Sequence, residues 1–326
     1  MKVFSDVSSI DEGLRGAVLS VGNFDGVHLG HQRILRTAHA LAKVSSAAVL
    51  AMTFEPPPLT LLRPDKAPAR LTPWEEKLHQ LELHGADAVV RLKTDWPLLS
   101  LTAEDFVREI LVKRIHPSYI VEGPNFGFGR DRKGNVDTLV SMAAKGGFQV
   151  HVVEPYRLHQ PDGSWLIVSS TTVRNFLFRG DVAGAAMCLG RPYRLIGNVV
   201  HGAGAGKTLG FPTINLDVGE QLIPAEGVYA GHAEVAGLRR VAAISIGRRP
   251  TFVAQPPSAV VVEAFILDET GDWYAERAIL ELTHYLRPQM KFADRAALSE
   301  QINKDIRQVR ELVAAEPYIQ RSGSST

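Results

Sequence analysis

At 326 residues the chain exceeds the roughly 100–200 residues of a usual single domain, so two domains with separate cores are expected. A composition of 45% hydrophobic and 22% charged residues is that of a globular protein and argues against a disordered or low-complexity chain. The 36 Lys and Arg are offset by 35 Asp and Glu, so no global basic field exists to hold a nucleic acid, and a phosphate ligand has to be gripped locally.

The N-terminus lacks the apolar core of a signal peptide and no later stretch approaches the roughly 18 apolar residues of a membrane span, so a cytoplasmic protein without a membrane partner is expected. The first half alternates short apolar runs with amphipathic segments, the pattern of a parallel sheet flanked by helices. Strands are expected over residues 17–21, 47–54, 88–92, 119–122 and 149–153. Thr72 as N-cap, Pro73 at the first helical position and Glu75 at the capping-box position predict a helix, with Leu78, Leu81 and Leu83 on its apolar side. A second helix is expected to start at Thr102, with Asp105 at the capping-box position and Phe106, Ile110 and Leu111 facing inward. Shorter helices are expected near 136–144, 172–178 and 181–189, and the α/β section should end near residue 188. The only cysteine, Cys188, sits in the apolar run Ala185-Ala186-Met187-Cys188-Leu189 and reads as a small buried hydrophobe. Neither a disulfide framework nor a thiolate metal site is available.

Beyond Arg191-Pro192 the pattern turns to β-rich runs, over 195–201, 228–235, 241–246, 260–267 and 278–286, punctuated by Gly and Pro. A compact antiparallel barrel is expected. A long amphipathic helix from about Asp294 to Leu312, with Leu298, Ile302, Ile306 and Val309 as its apolar stripe, should close it.

The run 17–21 leads straight into Gly22-Asn23-Phe24-Asp25-Gly26-Val27-His28-Leu29-Gly30-His31-Gln32. In an open α/β sheet, ligands sit beyond the carboxyl ends of strands, where helix N-termini offer free N–H groups to anions. Gly22, Gly26 and Gly30 permit close backbone approach, and His28 and His31 can donate to phosphate oxygens. Zinc ligation by the two histidines lacks a third ligand nearby and thiolates to complete a tetrahedron.

This segment resembles the His-x-Gly-His signature of nucleotidyltransferases, in the long form found in bacterial bifunctional riboflavin kinase/FAD synthetases. Thr53-Phe54-Glu55-Pro56, Gly123-Pro124-Asn125-Phe126-Gly127-Phe128-Gly129-Arg130 and Ser169-Ser170-Thr171-Thr172-Val173-Arg174 extend the resemblance. It implies a Rossmann-like FMN adenylyltransferase domain over 1–188. There Gly22, Asn23, Phe24, Asp25 and Gly30 would contact ATP, His28 and His31 would orient and neutralise its phosphates, and Ser170, Thr171 and Arg174 would hold phosphates. Flavin would meet Asn125, Phe126 and Phe128. A guanidinium suits the role given to Arg174, because it keeps its charge and grips phosphate as a fork. Pro57 stands where related sequences usually carry histidine, so any hydrogen bond from that position is lost. Arg130, Arg132 and Lys133 form a basic loop to which the resemblance assigns nothing.

Gly202-Ala203-Gly204-Ala205-Gly206-Lys207-Thr208 invites a Walker A reading, but the glycine required five residues before Gly206 is His201, and Leu209-Gly210-Phe211-Pro212 follows in place of a helix. The stretch from Gly202 to Leu216 instead resembles the riboflavin kinase signature. It implies ATP contacts for Gly206, Lys207 and Thr208, and Mg²⁺ ligation by Thr213 and Asn215, oxygen donors that suit a hard cation. Glu226 to Gly231 and Ser245 to Phe252 also look like segments of that family. Glu263, inside the apolar run 260–267, reads from alternation alone either as an outward-facing strand residue or as a base. The resemblance makes it the general base for the riboflavin 5′-hydroxyl, and Arg287, before the last helix, would touch flavin. The kinase domain would cover 189–326. The implied activity is sequential: riboflavin and ATP give FMN, then FMN and ATP give FAD and pyrophosphate. The rivals are a kinase with a weakened or lost adenylyltransferase, and a flavin-binding regulator without catalysis.

Overall fold

Runs such as Val18–Val21, buried at every position, have no polar face to leave in water and need cover on both sides, the setting of a parallel sheet between helices. The computed structural model describes residues 1–160, 162–202, 210–248 and 260–314, and the chain forms two compact units, Met1–Thr172 and Val173–Thr326.

In the first unit, strands β1 (Lys2–Phe4), β2 (Val18–Val21), β3 (Val49–Glu55), β4 (Ala88–Lys93), β5 (Tyr119–Glu122) and β6 (Gln149–Val152) build one sheet in the order β1-β4-β3-β2-β5-β6. Every neighbouring pair is parallel. The chain leaves β2 towards β3 and β4 on one side and returns to β5 on the other. The strand order therefore reverses at β2, and the crevice beyond the carboxyl ends of β2 and β5 is where this architecture holds ligands. β1, three residues long, is too short to show a period and was not expected; nor was the hairpin of β7 (Arg157–His159) and β8 (Trp165–Ile167).

Helices α1 (Leu29–Ser45), α2 (Pro58–Leu62), α3 (Trp74–Leu83) and α4 (Trp96–Leu99) precede α5 (Ala103–Asp105), which runs on into a π-helical stretch, Phe106–Ile115. Thr102 caps α5 as expected, its hydroxyl accepting from Asp105 N–H at 3.0 Å, and Phe106 and Leu111 are buried. The start of α3 departs from expectation. Its cap is Pro73, and the Thr72 hydroxyl accepts instead from Gly26 N–H at 3.2 Å, in the loop after β2. Leu81 is buried, but Leu83 is 64% exposed, because two residues on it stands about 200° round the helix, away from the buried face. Helix α6 (Val136–Gly146) begins on a capping box between Asn135 and Thr138. The core has one cluster on one sheet face, with Leu19, Leu50, Val90, Phe106 and Leu111, and two on the other, one with Phe24, Leu35, Ala51 and Leu81 and one with Val18, Ala38, Val49 and Val121.

Helix α7 (Ser170–Leu177) carries the chain into the second unit, followed by α8 (Val182–Leu189), in which Cys188 is buried. Both belong partly or wholly with the barrel: Ala225 N–H donates to the Leu177 carbonyl at 3.0 Å, and Gly180 lies against Tyr285. Strands β9 (Tyr193–Val200), β10 (Thr213–Asp217), β11 (Gly227–Val235), β12 (Leu238–Arg248), β13 (Val260–Ile266) and β14 (Arg277–Arg287) close into an antiparallel barrel, in the order β10-β13-β12-β11-β14-β9. β10 was not expected as a strand, its run being short and mixed. Ile214, Leu216, Ile244, Ile246, Val262, Ala264, Leu280 and Leu282 are buried at alternate positions, the period of a filled small barrel.

Helix α9 (Arg295–Ala314) covers the barrel through Ile306, Val309, Leu312 and Val313, against Ala230, Ala243 and Phe265. On the same helix Asp305 is 4% exposed and accepts from Arg287 Nε at 2.9 Å and Nη2 at 2.6 Å, and from Gln301 at 2.8 Å. Removing one partner of such a pair leaves the other charge buried. Asp305→Ala is expected to destabilise the protein by about 3 kcal/mol, while combining Asp305→Leu with Arg287→Met, which makes both positions apolar, recovers most of it. Thermal denaturation of the single and double variants checks this. Among the described residues no helix is long and apolar enough to cross a membrane.

Candidate functional site

A cleft of about 900 Å³ opens at the carboxyl ends of β2 and β5 in the first unit. Its walls come from segments distant in sequence: the turn after β2 (Gly22, Asn23, Asp25, His28, Gly30, His31), the loop after β5 (Gly123, Asn125, Phe126, Arg130, Arg132), and Ser169, Ser170 and Thr171 leading into α7.

The turn after β2 is held by its own backbone and from below. Phe24 and Val27 have φ of 46° and 39°, in the left-handed region that side chains rarely adopt, and both are buried. Such strain persists only where the surroundings over-determine it, and it clusters at functional sites. Phe24, expected among the ATP contacts, lines the cleft and also packs its ring with Val27, Leu35 and Ala51, anchoring the turn from beneath. Asp25 lines the cleft, yet its carboxylate accepts from Leu71 N–H at 2.9 Å and Thr72 N–H at 3.3 Å, tying the turn to the segment before α3.

His28 is the N-cap of α1; its Nδ1 accepts from His31 N–H at 3.4 Å, which leaves the proton on Nε2. The two imidazoles stack with centroids 3.7 Å apart and planes 19° apart. A methyl group at residue 30 would meet His28 Nδ1 at 3.1 Å and Cε1 at 3.0 Å, so glycine there leaves room for the ring. Burial, the neighbouring His28 and Lys77 hold His31 well below the usual histidine range, and its Nδ1 is buried without a hydrogen-bond partner. His31 is therefore neutral at pH 7. Two oriented imidazoles at a helix N-terminus can donate to an anion without forming a covalent bond.

Ser170 Oγ donates to the Asp25 carbonyl at 2.9 Å, closing the third segment onto the turn. Ser169 Oγ accepts from Thr172 N–H at 3.1 Å at the start of α7. Arg174 follows on α7, within the second unit. On the loop after β5, Asn125 is exposed in the cleft wall, and Phe126 stacks on Phe128 at 5.2 Å. Phe128 also lines the cleft; it is 4% exposed and packs against Phe106 on its core side.

Two further features lay beyond sequence reasoning. Glu122, the last residue of β5, lines the cleft while 4% exposed. Its only sequence signal is an acid closing an apolar run directly before a glycine. Buried Glu55 and Lys77 form an ionic group with half-buried Arg70 near the same turn, Arg70 Nη1 lying 2.7 Å and Lys77 Nζ 3.9 Å from the Glu55 carboxylate. Burial lowers the Lys77 ammonium, opposed by Asp25 and Glu55. Pro57 follows the cis Glu55–Pro56 peptide and caps α2 without any side-chain hydrogen bond.

In the second unit, Asn215 on β10, Glu263 on β13 and Ser245 on β12 stand opposite one another in register. Paired residues share a face, and their neighbours Ile214, Val262, Ala264 and Ile244 fill the barrel, so this polar row lies on its outer face. Glu263 is accordingly not a charge sunk in the core. Its half-buried side chain sits on the strand surface beside Asn215, which is 6% exposed. Thr213, two residues before Asn215, shares that face by alternation. A methyl group at residue 202 would meet Asn215 Nδ2 at 2.1 Å, so Gly202 is needed for the loop to lie against that amide. The Arg287 guanidinium, expected against flavin, is taken up by Asp305 and by the Pro288 carbonyl. Gly206, Lys207 and Thr208 lie outside the described residues, as do Arg249 to Phe252. Among the described residues no group of three or more His, Cys, Asp or Glu could hold a metal ion.

Comparison with known proteins connects both units to flavin synthesis. The FAD synthetase family model matches residues 10–171, and the riboflavin kinase family model matches residues 189–313. The bifunctional riboflavin kinase/FMN adenylyltransferase of Escherichia coli (strain K12) is 35% identical over 315 residues, covering 95% of this chain and 97% of that protein. The protein of the same name from Pseudomonas fluorescens is 36% identical over 300 residues, 92% of this chain and 94% of that one. A crystal structure described as a macrolide-efflux protein from Streptococcus pneumoniae superposes with a TM-score of 0.82 at 27% identity, covering 94% of this chain and 98% of that one. With both family models matched in tandem and relatives aligned almost from end to end, this chain belongs to the family of bifunctional riboflavin kinase/FMN adenylyltransferases.

Proposed function

We propose that adenylyl transfer takes place in the cleft at β2 and β5 and riboflavin phosphorylation on the outer face of the barrel, with residues 1–188 and 189–326 as the two functional domains. The observation that carries this reading is the convergence of three loops, distant in sequence, on a cleft whose floor presents two stacked imidazoles at a helix N-terminus. The tandem family matches over 10–171 and 189–313 support the division of labour. The compact units part somewhat earlier, because α8 and part of α7 pack with the barrel.

In the kinase half, Glu263 takes the proton of the riboflavin 5′-hydroxyl as that oxygen attacks the γ-phosphorus of ATP; the new O–P bond forms, the bond to the β-phosphate oxygen breaks, and ADP leaves. Thr213 and Asn215 fit a Mg²⁺ ion chemically: both offer neutral oxygens on one strand face, beside a carboxylate, and would hold the ion together with nucleotide phosphates and water. When bound, that ion would offset the charge of the ATP phosphates. Gly206, Lys207 and Thr208 contact the phosphates in this reading. Arg287, already paired with Asp305, acts by fixing the segment before α9.

In the adenylyltransferase half, a phosphate oxygen of FMN attacks the α-phosphorus of ATP, and pyrophosphate departs. No enzyme nucleophile is needed, since the protein's part is positioning and charge stabilisation. His28 and His31 donate to the phosphates, backbone N–H groups of the turn from Gly22 to Gly30 receive them, and Ser170, Thr171 and Arg174 complete the grip. Asn125 and Phe126 face flavin. The substrates are small and water-soluble, and we place both steps in the cytoplasm.

Purified protein given riboflavin, ATP and Mg²⁺ is expected to yield FMN first and then FAD on chromatography. FMN as the sole product would refute the assignment of the cleft and point to Pro57; flavin binding without ATP consumption would indicate a regulator.

A further inference from the structure

At the floor of the cleft, β2 and β5 pair only through Val18 with Tyr119 and Leu19 with Ile120, and beyond these residues the strands part. Past the end of that ladder, Val21 N–H is taken by Oε1 of Glu122, to which Ser20 Oγ also donates at 3.3 Å. The carboxyl group thus bridges the splayed strand ends at the reversal of strand order. Oε2 receives no hydrogen bond among the described residues and is left to the cleft that Glu122 lines. A side chain 4% exposed and turned towards a ligand cavity has two uses open to it: bracing the strands, which needs only an acceptor, or meeting a ligand.

The placement of Oε2, unbonded beside the cleft while Oε1 does the bracing, favours the second, and the ionisation of the group sets the sense of the hydrogen bond. Burial pushes its carboxyl up to about 8 against the opposing pull of the two hydrogen bonds, and no charged group is among the causes. The titratable and charged side chains around the cleft are Asp25, His28 and His31 from the turn after β2, Arg130, Asp131 and Arg132 after β5, and Glu154 and Tyr156 after β6; β2 itself presents only the Ser20 hydroxyl. At neutral pH the group carries a proton and is a donor. Both substrates of adenylyl transfer bring phosphate charge, which disfavours a carboxylate nearby and holds the acid neutral more firmly in the complex.

We propose that Glu122 is a specificity-determining residue of the adenylyl-transfer cleft, donating a hydrogen bond from its carboxyl group to an uncharged acceptor, a ring nitrogen or carbonyl oxygen, on the heterocycle of a bound substrate. The acceptor belongs either to the adenine of ATP or to the isoalloxazine of FMN. This inference rests on the assignment of the cleft to adenylyl transfer. A site built around a donor discriminates against a ring lacking the matching acceptor, because the buried donor is then left unpaired.

The test measures KM and kcat for FAD formation from supplied FMN between about pH 7 and about pH 9, varying ATP and FMN separately, in the full chain. In the wild type, KM for one substrate is expected to rise about tenfold over that range, in proportion to loss of the protonated form, with kcat changing less. The substrate whose KM moves identifies the ring. Glu122→Gln keeps an acceptor for Val21 and a neutral donor for the ligand, so it is expected to bind near the wild-type value at pH 7 and to lose the alkaline rise. Glu122→Met, which offers no donor, is expected to raise the same KM about tenfold at pH 7. FMN formation from riboflavin should be unchanged in all three. A flat wild-type KM between the two pH values, persistence of the rise in Glu122→Gln, or a wild-type KM in Glu122→Met would each overturn the inference while leaving the cleft assignment standing. Absence of FAD formation by the wild type would overturn both. The wild-type profile needs no variant to fold, and melting curves show whether each variant does.

Discussion

Glu263→Gln is expected to lower FMN formation from riboflavin by roughly 10²–10⁴-fold while FAD formation from supplied FMN continues at the wild-type rate. The physical basis is where the residue stands. Glu263 alternates with Val262 and Ala264, which fill the barrel, and faces outward in register with Asn215 and Ser245. The amide keeps the shape of the side chain and one of its two acceptor oxygens on a half-buried surface, so the barrel should still fold while the ability to take a proton is removed. Rates of FMN and FAD formation, measured separately by chromatography alongside thermal denaturation, decide the matter. FMN formation at the wild-type rate would show that the base is another group. Equal loss of both activities in a folded variant would contradict two independent centres.

The complementary result is expected from the turn after β2. Replacing His28 and His31 together by alanine should abolish FAD formation, each lost donor costing roughly 10²–10³-fold, while FMN accumulates. Part of that change is structural, because His28 caps α1 through Nδ1, a contribution of about 1 kcal/mol. His28→Asn separates the two roles: asparagine can cap the helix but does not place a donor where Nε2–H stands. It should restore most of the melting temperature and little of the activity. The neutral state of His31 also sets a sign for pH. Its value in the folded chain lies well below that of an ordinary histidine, so FAD formation should not decline as pH rises through about 6.5, as it would if the ring had to be an imidazolium. A decline there, absent from the kinase half, would mean that the charged form is required.

The elements read from periodicity came out in the right order and with the right partners in kind. The alternation of apolar runs with amphipathic segments became a parallel sheet with helices, and the Gly-punctuated runs after Pro192 became a closed barrel under α9. What escaped is either too short to show a period, as with Lys2–Phe4 and Thr213–Asp217, or answers to a distant partner. Thr72 has every local qualification for an N-cap, yet Gly26 N–H claims its hydroxyl across 46 residues. Arg287, by resemblance a flavin contact, has its guanidinium paired with Asp305, a partner buried on α9 that no local pattern announced.

For the turn from Gly22 to Gln32 the local chain was informative. Three glycines, two histidines in helical spacing and the position after an apolar run follow from steric freedom and hydrogen-bonding capacity within a few residues. For Thr213, Asn215 and Glu263 the signal was the resemblance of their segments, since the run 213–217 was too short to show alternation and alternation left Glu263 open between two readings. The surroundings of those residues were decided only by tertiary structure. Glu122 became a buried, protonated acid because β2 and β5, about 100 residues apart in sequence, meet where the strand order reverses and then diverge, leaving Val21 N–H to a side chain. Burial and the identity of a hydrogen-bond partner at such a separation depend on sheet order and register, which pattern within one element does not carry; conformational freedom and periodicity do reside in the element itself.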